Sequence, residues 1–552
     1  MKLFKKLLSY IIALTMVLSL ATLLGGNVHA TEPTYTLTIK NSDGSAFADG
    51  YSFAIYQILK GDVTPTNAKG DDGNKTEKTL SNITWGDSVT KTAKTAIGTD
   101  AKTFAGTLTN ENQAETMAKT LANTGGYLTA YNATGSLTDK NTLYTFSGLP
   151  GGYYLVKDMT NNEGKTDATS RYIVEVVGNT ETVTKKSVPT TIKKVKENTK
   201  TVTDIDDDNI PGLNVGEKYN DVADYDIGDK VPFELIGTLP ADYDKYGTYY
   251  YQFTDTMDSS FTLDKTSVKA YYTNDNGASW TEIKSGFSTS DSVANDDKSK
   301  NSFTVTFNDL KTATSSLSAS SKIKVAFDAT LNELAKIGLP GNENESYLTF
   351  SNDVNSNSHG KTAPDKVVVF TYELDTTKVD EHKTTTTLEG AHFIVLDSNG
   401  KNPKYLVQTK DNDGKVTKNT WTDNKSEATD FISGTNGKFA IKGLDDGTYY
   451  LQETKAPDGY NTDSTLHKVT INATTSNGQA WDGSTNALTA LSLGTVENSG
   501  DAATGIVSDM ITNSKGSNLP STGGMGTTLL YVAGGILVAC AAAYVVLNKK
   551  RA

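Results

Sequence analysis

The sequence predicts an all-β chain, with three immunoglobulin-like β-sandwiches in tandem between two terminal targeting segments. Three observations carry this. Short runs of Val, Ile, Tyr, Phe and Thr recur between Gly/Asn/Asp clusters, which is how sandwich strands and turns alternate. Helical heptads are absent and proline is scarce, 12 in 552 residues. A chain of this length also divides into several domains rather than one. The formal net charge of −13 argues against nucleic acid as a partner.

The first element, residues 1–30, is a signal peptide. Lys2, Lys5 and Lys6 form its basic region, Leu7 to Leu24 its apolar core, and Val28-His29-Ala30 its small-residue cleavage site. The mature chain then begins at Thr31. An N-terminal domain, 31–190, opens on YTLTIKNSDGSAF and closes on RYIVEVVGNTETVTKKSVPT. Inside it, TLTNENQAETMAKTLANTG is less strand-like and suits a helix. Pro189 breaks the pattern and marks a junction. A middle β-sandwich spans 191–369 and a C-terminal one 370–516. The acidic stretch DIDDDNIPG (204–212) lacks the full spacing of a calcium loop and reads as a solvated loop. No metal and no cofactor is expected. The last element, 517–552, holds LPSTGG, an apolar stretch about long enough to cross a bilayer, and a basic end. Lys549, Lys550 and Arg551 keep that end cytoplasmic. The single cysteine, Cys540, lies in this stretch, so the exported part has no disulfides.

Several strands place an ionisable or amide group on an apolar face. Strand side chains alternate sides with period 2. In GTYYLQETK, Tyr449, Leu451 and Glu453 therefore share a face, and an unpaired carboxylate there is heavily penalised. In FTYELDTTK, Phe370, Tyr372, Leu374, Thr376 and Lys378 share a face. In IVSDMITN, Val507, Asp509, Ile511 and Asn513 do so. If the first and last strands lie side by side, Lys378, Glu453 and Asn513 meet. The middle domain repeats the set: Asp255 shares a face with Tyr251, Phe253 and Met257, and Asn352 with Leu348, Phe350 and Val354. Its opening strand, TTIKKVKEN, offers Lys193 or Lys194, and parity does not choose between them.

One chemistry uses these three groups. The lysine amine attacks the asparagine carboxamide, ammonia leaves, and an intramolecular isopeptide bond remains. Burial favours the neutral amine and the protonated acid. The neutral amine is a nucleophile, the acid (Asp255 or Glu453) donates and shuttles protons, and enforced proximity supplies much of the rate. This happens once per molecule, so it is maturation rather than turnover, and no enzyme is expected. The N-terminal domain departs from the pattern. Lys157 stands where Glu453 does in the C-terminal domain, Asp158 falls on the other face, and Lys40 shares parity with Thr36 and Thr38. No internal bond is expected there.

Leu519-Pro520-Ser521-Thr522-Gly523, an apolar helix and a basic tail together resemble the cell-wall sorting signal of Gram-positive surface proteins. YYLQETKAPDGY resembles the pilin E-box, YxLxETxAPxGY. FTYELDTTKVD, LIGTLPADYDKYGTYYYQFTDTM and YLTFSNDV are similar to stretches of the same family. Over residues 31–552 the chain resembles the major, or backbone, pilins of sortase-assembled pili, built from collagen-adhesin-like (Cna-type) β domains. The resemblance implies that a sortase cuts between Thr522 and Gly523, holds the chain as a thioacyl enzyme, and passes Thr522 to an amine. It favours Lys193 over Lys194, as does the distance from Pro189. Backbone pilins carry the accepting lysine in a motif ending YPK. Here VTKKSVPT occupies the place without Tyr-Pro, and Lys186, then Lys185, is the candidate. The implied partners are identical subunits, pilus-class and housekeeping sortases, minor pilins and peptidoglycan, and the implied location is a pilus on the surface of a Gram-positive bacterium.

A wall-anchored monomeric adhesin, or a minor pilin at tip or base, is the alternative. Tip adhesins carry a large inserted binding domain, which this chain lacks. Hydrolase chemistry finds no support, since His382, His392 and His467 have no Ser, Cys or Asp at suitable spacing.

Overall fold

A computed structural model describes residues 33–515, except 43, 49, 70–75, 109–110, 139, 170, 185, 201, 203–205, 208, 355, 477–478, 480, 482, 484 and 495–498, together with 532, 534 and 536–539. The predicted signal peptide, Lys185 and the sorting residues Leu519, Pro520, Ser521, Thr522 and Gly523 lie outside the described residues. Among the described residues, no helix is long and apolar enough to cross a membrane.

The described strands form three successive pairs of sheets and one two-stranded ribbon, Asp206–Asp207 with Ile210–Asn214. In the N-terminal pair, Tyr35–Lys40 lies between Leu143–Leu149, which runs antiparallel to it, and Thr180–Val183, which runs parallel. The facing sheet orders Thr76–Trp85, Phe53–Lys69, Gly152–Asp158 and Arg171–Val176. Three helices, Lys91–Ile97, Ala101–Ala105 and Glu111–Asn123, accompany it. Glu111–Asn123 falls in the stretch expected to be helical. Thr90 and Asp100 cap the first two by accepting backbone N–H groups, the usual role of such residues at a helix start. Phe104 and Leu121 of these helices share a core with Tyr153 and Leu155, while Tyr154 and Val156 point into the core between the two sheets. Both faces of that strand are buried, which is why GGYYLVKD reads as an apolar run rather than an alternation.

In the middle pair, a six-stranded sheet contains Thr191–Lys196 between Tyr219–Asn220 and Lys230–Thr238. The facing eight-stranded sheet holds Tyr251–Asp258, Asn342–Ser351 and Asp365–Phe370. The strand Lys322–Leu331 alternates without a break, with Ile323, Val325, Phe327, Ala329 and Leu331 buried.

In the C-terminal pair, Tyr372–Asp380 runs parallel to Ile506–Asn513 over eight residue pairs, from Glu373 opposite Ile506 to Asp380 opposite Asn513. The facing sheet contains His392–Leu396, Gly447–Lys455 and His467–Thr475. Val222, Val368 and Phe370 of the middle pair pack into the same apolar core as Leu374, Tyr449 and Val507, so these two units share a continuous joint.

Candidate crosslinking sites

The C-terminal site gathers all three predicted groups. Tyr372, Leu374, Thr376 and Lys378 are each fully buried on one face of their strand. Val507, Ile511 and Asn513 are buried on the last strand, and Tyr449, Leu451 and Glu453 on the facing sheet. Register sets Lys378 opposite Ile511, one same-face step from Asn513. Lys378 Nζ stands 3.1 Å from Glu453 Oε1. Asn513 Nδ2 donates to Glu453 Oε2 at 3.0 Å and to the Asn461 carbonyl at 2.8 Å. One carboxylate thus touches both the amine and the carboxamide. Burial pulls the Lys378 amine below the ordinary lysine range, and Glu453 opposes that pull. The Phe393 ring lies 5.2 Å from Nζ and keeps water away on that side. Among the described residues, Asn513 Oδ1 has no hydrogen-bond partner.

At the middle site the structure brings Lys193 and Asp255 together and places Asn352 elsewhere. Lys193 is fully buried, and its Nζ donates to Asp255 Oδ2. Phe233 and Phe327 rings each stand 5.2 Å from Nζ. Burial lowers the Lys193 pKa and raises that of Asp255, each against the attraction of the other. Both neutral forms are favoured by the site, as aminolysis needs. The Lys193 backbone N–H donates to Asp365 Oδ2 at 2.7 Å, which ties the opening strand to the facing sheet.

Asn352 is not at this site. It lies just beyond the strand Asn342–Ser351, and its Nδ2 donates to the carbonyls of Asn162 (2.7 Å) and Asp167 (2.9 Å) in the N-terminal unit. Its burial comes from a neighbouring unit, not from the core beside Asp255. The amide beside Asp255 is Asn344, on the same strand face and fully buried. It sits opposite Met257, two residues from Asp255, and close enough to favour the ionised acid. Neither its Oδ1 nor its Nδ2 completes a well-formed hydrogen bond among the described residues. Asn342, two residues earlier, is satisfied by Lys336 and Val369. Parity alone could not separate these residues, because Asn342, Asn344 and Asn352 all share one face. The usable signal was distance from the strand end.

Lys194 points the other way. It is buried against Asp221, whose second oxygen accepts the Trp481 N–H of the C-terminal unit at 2.9 Å. Nearby, Lys200 bridges Asp224 (2.7 Å) and Asp446 (2.8 Å) across the same joint. Through Trp481 and Asp446 these groups link the middle unit to the C-terminal one.

In the N-terminal unit, Lys40 forms an exposed pair with Glu181 at 2.8 Å, and Lys157 is half-buried. Asp158 is buried, which pushes its carboxyl up to about 6. Lys186 does not stand on open surface. Its side chain is 14% exposed and stands 2.7 Å from Asp167 Oδ1.

Residues 372–483 match the family model described as SpaA, a prealbumin-like fold domain. A search of curated proteins returned no match to this sequence. Among solved structures, the chain is similar to the T6 backbone pilin of serotype M6 Streptococcus pyogenes, at 18% identity over 88% of this chain and 99% of that one, TM-score 0.46. It is similar to the full-length major pilin SpaD from Corynebacterium diphtheriae, at 16% identity over 88% and 98%, TM-score 0.44. It is also similar to the full-length major pilin RrgB from Streptococcus pneumoniae, at 12% identity over 88% and 100%, TM-score 0.42. The stretch that carries Lys378 and Glu453 is thus the one that matches the SpaA prealbumin-like fold model.

Proposed function

We propose that this chain is a shaft subunit of a covalently polymerised pilus on a Gram-positive surface. A sortase cuts after Thr522 and joins its carboxyl to a lysine of the next subunit, for which Lys186 is the leading candidate and Lys185 the second. Within each subunit, Lys378 bonds to Asn513 with Glu453 as the proton shuttle, and Lys193 bonds to Asn344 with Asp255. A housekeeping sortase then fixes the polymer to peptidoglycan, and minor pilins complete it. The single observation that carries this reading is the Glu453 carboxylate in contact with both a buried lysine and a buried asparagine. A subunit pulled at both ends gains from covalent ties that join the opening strand of a unit to a later strand of the same unit. An enzyme or a ligand-binding module has no comparable need for them.

Each bond forms by loss of one ammonia. Intact-mass spectrometry of residues 31–518 should therefore read two ammonia masses below the sequence value. Wall extracts boiled in SDS should run as a high-molecular-weight ladder. An unreduced mass removes the internal bonds, and a single band removes the polymer and leaves the monomeric adhesin.

A further inference from the structure

Apart from the two candidate crosslinking sites, the N-terminal unit holds a polar groove around Lys186. We propose that Asp167 is the catalytic acid–base partner of Lys186 in subunit joining, and that Asn352 is the residue that positions Asp167. This rests on Lys186 being the joining amine.

Lys186 Nζ lies 2.7 Å from Asp167 Oδ1 and 2.9 Å from Oδ2, and donates to the Tyr51 hydroxyl at 3.1 Å. Tyr51 in turn donates to Asp167 Oδ2 at 3.2 Å, and its ring lies 5.1 Å from Nζ. These groups line an open groove of about 340 Å³, whose walls include Ser42, Ser45, Ala46 and Ala48. The amine is thus oriented and paired, yet an extended acyl donor has room to reach it.

The backbone that bears this carboxylate is held from outside its own unit. Asn352 Nδ2 donates to the Asp167 and Asn162 carbonyls, and the Asn352 carbonyl accepts from Thr169 N–H at 2.8 Å. Gly164 N–H donates to the His359 carbonyl at 2.7 Å, and Lys361 N–H to the Lys165 carbonyl at 3.0 Å. The approach is close enough that a Cβ on Gly360 would stand 2.7 Å from the Lys165 carbonyl. The loop bearing Asp167 is therefore laced to the middle unit along its length, and Asn352 is the side chain in that lacing that grips Asp167 itself.

An ammonium does not attack a thioester. Lys186 gives one proton to Asp167, and its nitrogen bonds to the thioacyl carbon of the Thr522 carboxyl. It loses a second proton as the amide forms. The carbon–sulfur bond breaks, the enzyme thiolate leaves with one of the two protons, and the other passes to solvent, which returns Asp167 to the carboxylate.

The test uses the exported chain, carried through its LPSTGG motif, with a pilus-class cysteine transpeptidase. The ladder is timed on gels and the crosslinked lysine is mapped by mass spectrometry. Asp167→Asn should slow joining by about 100-fold or more and flatten its pH–rate profile, the size and signature of a lost general base. Asp167→Glu, which keeps a carboxylate, should recover much of the rate. Asn352→Ala should slow joining by about 10-fold while the pH profile keeps its shape, since positioning rather than proton transfer is lost. All three should keep both ammonia losses, which reports intact folding. Wild-type joining by Asp167→Asn, or failure of Asp167→Glu to improve on it, overturns the role of Asp167. An ammonia missing from the Asn352→Ala deficit overturns the role of Asn352. Unimpaired joining by Lys186→Ala overturns the reading of Lys186 itself, and with it this proposal.

Discussion

Lys378 and Asn513 stand on neighbouring parallel strands, one same-face step apart, with the carboxylate of Glu453 in contact with both. The opening and closing strands of the C-terminal unit are thus the ones whose side chains can be tied. A tie between them closes a loop on the order of 100 residues, which in the chain-entropy model is worth about 4–5 kcal/mol.

Lys378→Ala and Asn513→Ala should each remove one ammonia loss and lower the stability of the C-terminal unit by roughly that 4–5 kcal/mol. Glu453→Gln should do the same to the mass while leaving the shape of the site. Intact mass and denaturant unfolding check both. A full ammonia deficit in Glu453→Gln would show that the acid is dispensable.

Asn344→Ala should abolish the middle bond, and Asn352→Ala should leave it intact. The comparison separates two asparagines of equal parity on one chain segment. Peptide mapping identifies the partner of Lys193 directly.

Stability of the joint between the middle and C-terminal units should fall as pH rises. Burial pushes Asp221 up to about 7 from an ordinary 3.8. It pushes Asp224 up to about 7 as well, helped by the charge of Asp446. Each group binds its proton more tightly folded than unfolded, so its contribution is complete below the ordinary value and is lost as pH rises to about 7. Thermal unfolding should show a higher midpoint at about pH 5 than at about pH 8, and Asp221→Asn should flatten that slope.

Lys200→Met should destabilise the same joint by about 3 kcal/mol or more, because it strands buried carboxylates without their counter-charge. Lys200 touches both Asp224 and Asp446. Limited proteolysis near the joint, compared with wild type, reads the loss.

Much of this was legible in the sequence because strand periodicity is strict. The faces that carry Lys378, Glu453, Asn513 and Asp255 follow from counting by two, and each of these residues is buried as counted. Asn352 was misread for a physical reason. Parity reports which side of a strand a residue takes, not which body of protein covers that side. The N-terminal unit covers Asn352 through carbonyls about 190 residues away in sequence, which no local pattern encodes. The pairing of Lys186 with Asp167 was hidden likewise, since a loop laced to another unit places the carboxylate. The helices Lys91–Ile97 and Ala101–Ala105 were missed because each is short and caps itself locally with Thr90 or Asp100.

Parallel terminal strands have one more effect. Tyr372–Asp380 and Ile506–Asn513 run the same way, as do Tyr35–Lys40 and Thr180–Val183. In each of these units the chain enters at one pole and departs at the opposite one. Antiparallel neighbours would bring entry and exit to the same pole and fold the molecule back on itself. Units strung in this manner add their heights, so that in the proposed polymer every copy would face the same direction.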